Sequence, residues 1–466
     1  MGKAAYTDTP RHVLCKRIPT PPYGDWNDRH YVDYDEFVAT DGYVALRKAL
    51  ARTPEDVIDE VKKAVVRGRG GAGFPAGVKW TFLPPVPEGK KPGDPGAERY
   101  LAVNADESEP GTFKDRLLME FDPHQLLEGI AICCHACRLN RAYIFIRGEY
   151  HHQAAMLERA LAEAYAHGIF GEKGLQNSDA NTGGERFRVD CYVHRGAGAY
   201  ICGEETALLE AIEGKRGWPR IKPPFPAVQG LFGRPTIINN VETLCHLQLI
   251  LDEGAEAFTA QGVESSIGGP PSYGTKLMGM AGHVERPGVY EFELGIPLRK
   301  FVEEHCGGMR KGKKFKGAIP GGVSMGILGP DQYDAELDFD IGRKYGVLGL
   351  GTACPTVFDE DTDMTAVARN IARFYKHESC GQCTPCREGS GWVYQLMCRI
   401  TEGDARNRDL DIALEVAESM GTMPGTTICG LADGNNFAMK TLIGKYREEF
   451  EAKLQKTFVT ATVGAS

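Results

Sequence analysis

The 466-residue chain contains no apolar run near the eighteen residues that a membrane-spanning helix requires. Direct membrane insertion is therefore not expected, and membrane association would have to come through partners. A basic balance is also missing: 54 Lys and Arg stand against 63 Asp and Glu, a net charge of −9. Nucleic-acid binders normally present a basic face, so no nucleic-acid partner is expected. Anionic cofactors stay open, because local backbone and side-chain groups hold them. The N-terminal MGKAAYTDTP has neither the apolar core of a secretory signal nor an Arg/Ser-rich transit pattern, which predicts a cytoplasmic protein. No repeat or low-complexity segment is evident. Cysteine, by contrast, is plentiful, with 14 residues. In a reducing compartment these read as metal ligands or small buried hydrophobes rather than disulfides.

Length and composition predict an ordinary globular protein of two to four domains. Residues 1–60 read as an N-terminal extension ending in a helix, which opens at Thr53-Pro54-Glu55-Asp56 with a capping hydroxyl and a proline at N1. From 61 to 264 short strand-like and helix-like segments alternate, an α/β layer pattern. YLAV, AYIFI, RVDCYV and TII are the expected strands. The Gly-, Pro- and Ser-rich stretch 265–274 marks a boundary. Residues 275–358 suit a compact β domain with one helix from Leu298 to about His305. Residues 361–466 suit four helices near 363–377, 388–400, 409–420 and 436–455, a small bundle.

Three stretches carry chemistry. GRGGAGFPAGVKW brings Gly68, Arg69, Gly70, Gly71 and Gly73 into a loop whose N–H groups could approach a phosphate, with Arg69 and Lys79 supplying charge. The loop follows a helix, not a strand, so the usual dinucleotide-binding context is missing and a tight structural turn competes. Trp80 reads as core. The loops NADESEPGTFKDR and GAGAYICGEETALLE follow strands, where open α/β sheets bind ligands. Asn104, Asp106, Glu109, Glu204 and Glu205 would repel phosphates but accept hydrogen bonds from ribose or a flavin edge. Acids at solvated helix N-termini are the competing reading.

ESCGQCTPCREG places Cys380, Cys383 and Cys386 at C-x2-C-x2-C spacing, which can wrap one face of a cubane cluster. A fourth ligand must come from elsewhere. In a helix starting near Glu388, Cys398 would lie roughly 15 Å along the axis, too far to share the cluster. Cys429, in the loop MPGTTICG, is the expected ligand. Zinc sites more often use two separated pairs, so zinc is the weaker reading.

Together these stretches, with KPPFPA, NNVETL and TICGLADG, resemble the family of the 51-kDa NADH-binding flavoprotein of respiratory complex I, from about Val61 to Arg447. The resemblance implies a Rossmann-like FMN/NADH domain, a ubiquitin-like β-grasp domain and a helical domain carrying one [4Fe-4S] cluster. It implies FMN contacts by Gly68, Arg69, Gly70, Lys79, Asn104, Asp106, Glu107, Tyr200, Gly203, Glu204, Asn239, Asn240 and Thr243. NADH contacts are implied for Phe74, Phe82, Glu109, Glu205, Lys222 and Phe225, and cluster ligation for Cys380, Cys383, Cys386 and Cys429. The implied reaction is hydride transfer from NADH to FMN, then single-electron transfer to the cluster and on to quinone. Implied partners are a thioredoxin-like [2Fe-2S] subunit and a large iron–sulfur subunit, on the inner face of the plasma membrane. A diaphorase subunit of a soluble hydrogenase or formate dehydrogenase is the alternative; such chains often carry extra cluster domains, which this length does not suggest. Three departures stand out: Trp218, Cys354-Pro355, and NNFAMK after TICGLADG.

Overall fold

The computed structural model describes residues 12–18, 30–172, 174–175 and 187–454. The N-terminal stretch read for targeting signals falls in 1–11, outside the described residues.

Strands β1 (Tyr100–Ala105), β2 (Arg141–Ile146), β3 (Asp190–Arg195) and β4 (Thr236–Asn240) form one parallel sheet in the order β3-β2-β1-β4. The first three step outward one by one, and β4 then returns to the other side of β1. The direction of winding thus reverses between β1 and β4, and the crevice outside their carboxyl ends is where such sheets take ligands. Asn104 and Asn240 are register partners at that point. Nearly every side chain of the helix Pro123–Ala136 is buried, so this helix is a core element rather than an amphipathic cover. Thr53 caps the helix Pro54–Ala64 by accepting from the Asp56 N–H, as the sequence suggests. The helix Tyr34–Ala39 was not expected; its Asp33 cap precedes only one buried apolar residue, Phe37, too few to show a period.

Strands β5 (Gly262–Val263) and β6 (Ser272–Tyr273) pair across the expected boundary stretch. Beyond it, β7 (Thr275–Gly282), β8 (Gly288–Glu293), β9 (Phe315–Ile319) and β10 (Thr356–Asp359) form a mixed sheet in the order β8-β7-β10-β9. Its core surrounds Phe292, Leu298 and Phe301. Cys354 lies just before β10, fully buried, and leaves the strand intact. A Cβ on Gly279 would sit only 2.9 Å from its sulfur.

The C-terminal region holds the helices Met364–Glu378, Thr384–Glu402, Asn407–Ser419, Leu431–Lys445 and Arg447–Ala452. Two expectations change here. The second helix starts four residues earlier than read, with Pro385 in its first turn, so Cys386 belongs to the helix. The last segment breaks at Tyr446 into two helices, and the first of them begins right after Gly430.

Candidate functional site: a cleft and a cysteine cavity with a common wall

A cleft of about 270 Å³ opens at the β1/β4 reversal, at the lower end of the range of small-molecule pockets. Gly70, Asn104, Asp106, Glu107, Glu109, Tyr200, Gly203, Glu204 and Asn240 line it, all of them anticipated from sequence. The glycine loop reaches it by close approach: a Cβ on Gly70 would lie 3.1 Å from that of Asn240, and Gly73 has a left-handed φ of 66°. Asn104 donates to the Gly203 carbonyl at 2.8 Å, tying the carboxyl end of β1 to the segment after β3. Asp106 keeps one buried carboxylate oxygen without a partner. Burial raises its pKa to about 7, against the opposing pull of Arg147.

Several expected contacts use their side chains differently. The Arg69 guanidinium is fully buried and donates to the Tyr273 carbonyl at 2.7 Å, so it adds no charge to the open face of the glycine loop. Burial lowers its pKa to about 10. Only its backbone N–H joins the site region, donating to Thr243 Oγ1 at 2.8 Å. The Glu107 carboxylate accepts from the N–H groups of Lys114, Asp115 and Arg116 and from the Tyr150 hydroxyl, so it caps the helix Asp115–Phe121. Glu204 likewise caps the helix Glu205–Ile212. Asn239 accepts from the buried Trp80 indole at 3.3 Å. These roles follow from orphaned backbone donors at helix starts and from a buried indole N–H, which a motif does not reveal.

On the adenosine side implied by the resemblance, Lys222 bridges Glu204 at 3.1 Å and Glu205 at 3.0 Å, while Lys79 stands 3.6 Å from Glu205. Burial pushes the Glu205 pKa up, but Lys79 and Lys222 outweigh it and leave the group below its ordinary value. Phe74, Phe82 and Phe225 are 46%, 53% and 57% exposed, far more than core rings. Phe74 and Phe82 lie 6.0 Å apart between centroids, tilted by 49°. Gly68 and Gly71 complete the turn beneath them, with Gly68 N–H donating to the Phe74 carbonyl.

Sequence reading missed two parts of the cleft. Lys114 and Asp115 line it and belong to a buried ion network in which Lys114 and Lys276 each approach Glu242 at 2.7 Å. Burial works against Glu242 ionising, but the two ammonium groups win and hold its pKa at about 2. The second part lies behind the cleft lining: Ser324, from the mixed-sheet region, holds the lining residue Glu109. Its N–H and hydroxyl donate to Glu109 at 2.8 and 2.9 Å, beside the Tyr200 hydroxyl at 2.6 Å. Tyr375, from the helical region, donates to the Ser324 hydroxyl at 3.0 Å. The glycine-flanked serine in IPGGVSMG was the available signal.

Cys380, Cys383, Cys386 and Cys429 all line one small cavity, together with Ile201, Pro219, Gln382 and Thr427. Cys398 does not; it lies on the helix beside Arg369. Gln382 Oε1 and Thr427 Oγ1 are buried there without partners. The Thr427 hydroxyl, left unpaired among four cysteines, suits an inorganic group that accepts a hydrogen bond from it, just as the unpaired Asp106 oxygen suits a donor on a polar ligand in the cleft. Cys429, Leu431 and Ile201 line both the cleft and the cysteine cavity, so the two are separated by a single layer of side chains.

Known proteins share this geometry. Residues 61–248 match the Nuo51 FMN-binding domain, residues 278–328 the SLBB domain, and residues 366–453 the NADH-ubiquinone oxidoreductase-F iron-sulfur binding region. The chain is 46% identical over 408 residues to the F-type subunit of the NADH-quinone oxidoreductase of Rickettsia bellii, covering 87% of this chain and 92% of that one. It is 43% identical to the mitochondrial NADH dehydrogenase [ubiquinone] flavoprotein 1 of Dictyostelium discoideum, covering 94% of this chain and 86% of that one. A crystal structure of NAD+-reducing [NiFe]-hydrogenase in the H2-reduced state is similar at 34% identity and a TM-score of 0.73. That match covers 88% of this chain but 64% of the hydrogenase chain. On these grounds the chain belongs to the family of F-type subunits of NADH-quinone oxidoreductase.

Proposed function

We propose that this chain is the NADH-oxidising flavoprotein subunit of an NADH:quinone oxidoreductase, with FMN in the cleft, NADH against it and a [4Fe-4S] cluster on the four cysteines. The observation that carries this reading is the common wall of Ile201, Cys429 and Leu431 between cleft and cysteine cavity. A nicotinamide gives two electrons as hydride and an iron–sulfur cluster takes one at a time; a flavin, when bound, supplies the exchange between them.

The chain's own groups hold and orient. Gly70, Asn104, Asp106, Gly203 and Asn240 would take the flavin, with Glu107 and Glu204 fixing the two loops by capping. Lys222, Glu205, Phe74, Phe82 and Phe225 would receive the adenosine end, and Glu109 the nicotinamide end. Cys380, Cys383, Cys386 and Cys429 would ligate the cluster. We assign 61–264 to the flavin domain, 275–358 to the β-grasp domain and 361–466 to the cluster domain, with four of its helices as a bundle. Quinone reduction then runs through a thioredoxin-like [2Fe-2S] subunit and a large iron–sulfur subunit, at the inner membrane face. Among the described residues no helix is long and apolar enough to cross a membrane.

The test separates the two halves of the site. The FMN-loaded chain should reduce ferricyanide with NADH even without a cluster, and Cys429→Ala should abolish the reduced-cluster EPR signal while Cys398→Ala keeps it. A signal that survives in Cys429→Ala would overturn the ligand assignment. The likeness to the NAD+-reducing hydrogenase supports a second reading, a diaphorase subunit of a soluble enzyme. Identifying the subunits that co-purify decides between them.

A further inference from the structure

The residue before Pro219 is one of the chain's departures from the family pattern, and the structure gives it a contact. The Trp218 indole N–H donates to the Cys380 carbonyl at 3.1 Å, across 162 positions of sequence. The loop that carries it is firmly based. Arg220 donates through its backbone to Thr206 Oγ1, binds the Glu213 carboxylate at 2.8 Å and caps the Gly230 carbonyl at 2.9 Å. Gly217 sits so close to Cys202 that a Cβ would come within 2.6 Å of its sulfur, which fixes the approach of the turn. Trp218 N–H closes that turn onto the Arg216 carbonyl at 2.7 Å, and the Arg216 guanidinium lies over the indole ring at 4.6 Å. The next residue, Pro219, is part of the cysteine cavity wall.

Cys380 needs such a clamp more than its neighbours do. Cys383 caps the helix Thr384–Glu402 and Cys386 lies inside its first turn, so both have helical backbone to hold them. Cys380 lies in the loop before that helix, followed by Gly381 with a φ of 78°. Arg387 also reaches this loop, donating to the Gly381 carbonyl at 2.9 Å, while at Cys380 itself the indole contact is the one that crosses from the other domain.

We propose that Trp218 is a positioning residue of the iron–sulfur site: its indole N–H pins the Cys380 backbone from the flavin side. The proposal rests on the four-cysteine cluster reading above. Hydrogen bonding and solvent exposure around a cluster set its electronic properties and its lability, so loosening one ligand loop should show in both.

The experiment compares the full-length, cluster-reconstituted wild type with Trp218→Phe, which removes the N–H but keeps an aromatic ring, and Trp218→Ala, which removes the ring altogether. In Trp218→Phe the reduced-cluster EPR line should broaden or shift its g values, and the visible cluster absorbance should bleach under an iron chelator about five- to tenfold faster, the effect of one lost hydrogen bond. Trp218→Ala should bleach faster still. Thermal melting of the cluster-free proteins shows whether either variant merely unfolds the chain; Phe keeps an aromatic ring in place. An EPR line and bleaching rate in Trp218→Phe equal to wild type would overturn the proposal. Absence of any [4Fe-4S] signal in the wild type would instead overturn the cluster reading beneath it.

Discussion

At the scale of single residues, Asp106 and Glu205 are two acids in one site with opposite balances of force. Burial dominates at Asp106, whose pKa rises from 3.8 to about 7. A folded-state pKa above the unfolded one gives stability that is full below the unfolded value and is lost as pH rises through the folded value. The flavin-free chain should therefore lose stability between about pH 4 and 7, by an amount on the order of 4 kcal/mol at most. Asp106→Asn should flatten that decline in denaturant melts run across the pH series; an unchanged slope would remove Asp106 as its cause. At Glu205 the lysines win instead. Glu205→Ala strips Lys79 of its carboxylate and leaves Lys222 with Glu204 alone. Losing one hydrogen bond to a charged group should weaken NADH by about 1.5–3 kcal/mol, roughly ten- to a hundredfold. The freed Lys79 ammonium, beside a Lys222 that keeps only Glu204, should favour the extra phosphate of NADPH. The ratio of the two specificity constants reads the outcome, and an unmoved ratio places Glu205 away from the adenosine ribose.

At the scale of elements, legibility followed locality. The four parallel strands and most helices announced themselves through period and caps, and the cysteine spacing carried its own chemistry. Glu107, Glu204 and Asn239 were named as site residues, yet their side chains serve helix starts and an indole, because a backbone donor's need for a partner is a three-dimensional fact. The segment 12–18 shows the same limit. It has no period, and it is fixed by a carboxylate 276 to 278 positions away: Glu291 accepts from the N–H groups of Val13, Leu14 and Cys15 and from Thr275. Arg17 pins its far end to Asp122 at 2.7 Å, both side chains buried. Glu291→Gln would put an amide NH2 in place of one carboxylate oxygen, facing two of these N–H donors, and should cost about 3 kcal/mol of stability. It should also expose the segment to limited proteolysis. Wild-type resistance in the variant would show that Arg17 suffices.

At the scale of the whole molecule, Glu109 is where the three regions meet: Tyr200 comes from the flavin region, Ser324 from the mixed-sheet region, and Tyr375 from the helices through Ser324. Sequence pattern suggested Glu109 and the family resemblance Tyr200, but neither pointed to Ser324, because no local period marks a residue that works across a domain boundary. Burial raises the Glu109 pKa, and hydrogen bonds from Tyr200 and Ser324 pull it back. The cleft's other acids, Asp106, Glu107, Asp115 and Glu204, add no donor to it, and Lys114 is already engaged by Asp115 and Glu242. Ser324→Ala removes one of the two contacts from that residue, so the Glu109 pKa should climb. If the carboxylate form receives NADH, the acid limb of the kcat/KM profile should then move to higher pH. A limb that stays in place would show that Glu109 does not titrate in NADH binding.

The wall between cleft and cysteine cavity joins Ile201 to Cys429 and Leu431, and Gly430 completes the cleft beside them. Domains generally fold from the N-terminus as a chain leaves the ribosome. While residues beyond 428 are still unmade, the cleft lacks one side, and the future exit for electrons is missing with it. Cleft and cysteine cavity are thus finished by the same two residues, Cys429 and Leu431, late in synthesis. A nascent chain therefore closes the cleft and the cysteine cavity in one step rather than two.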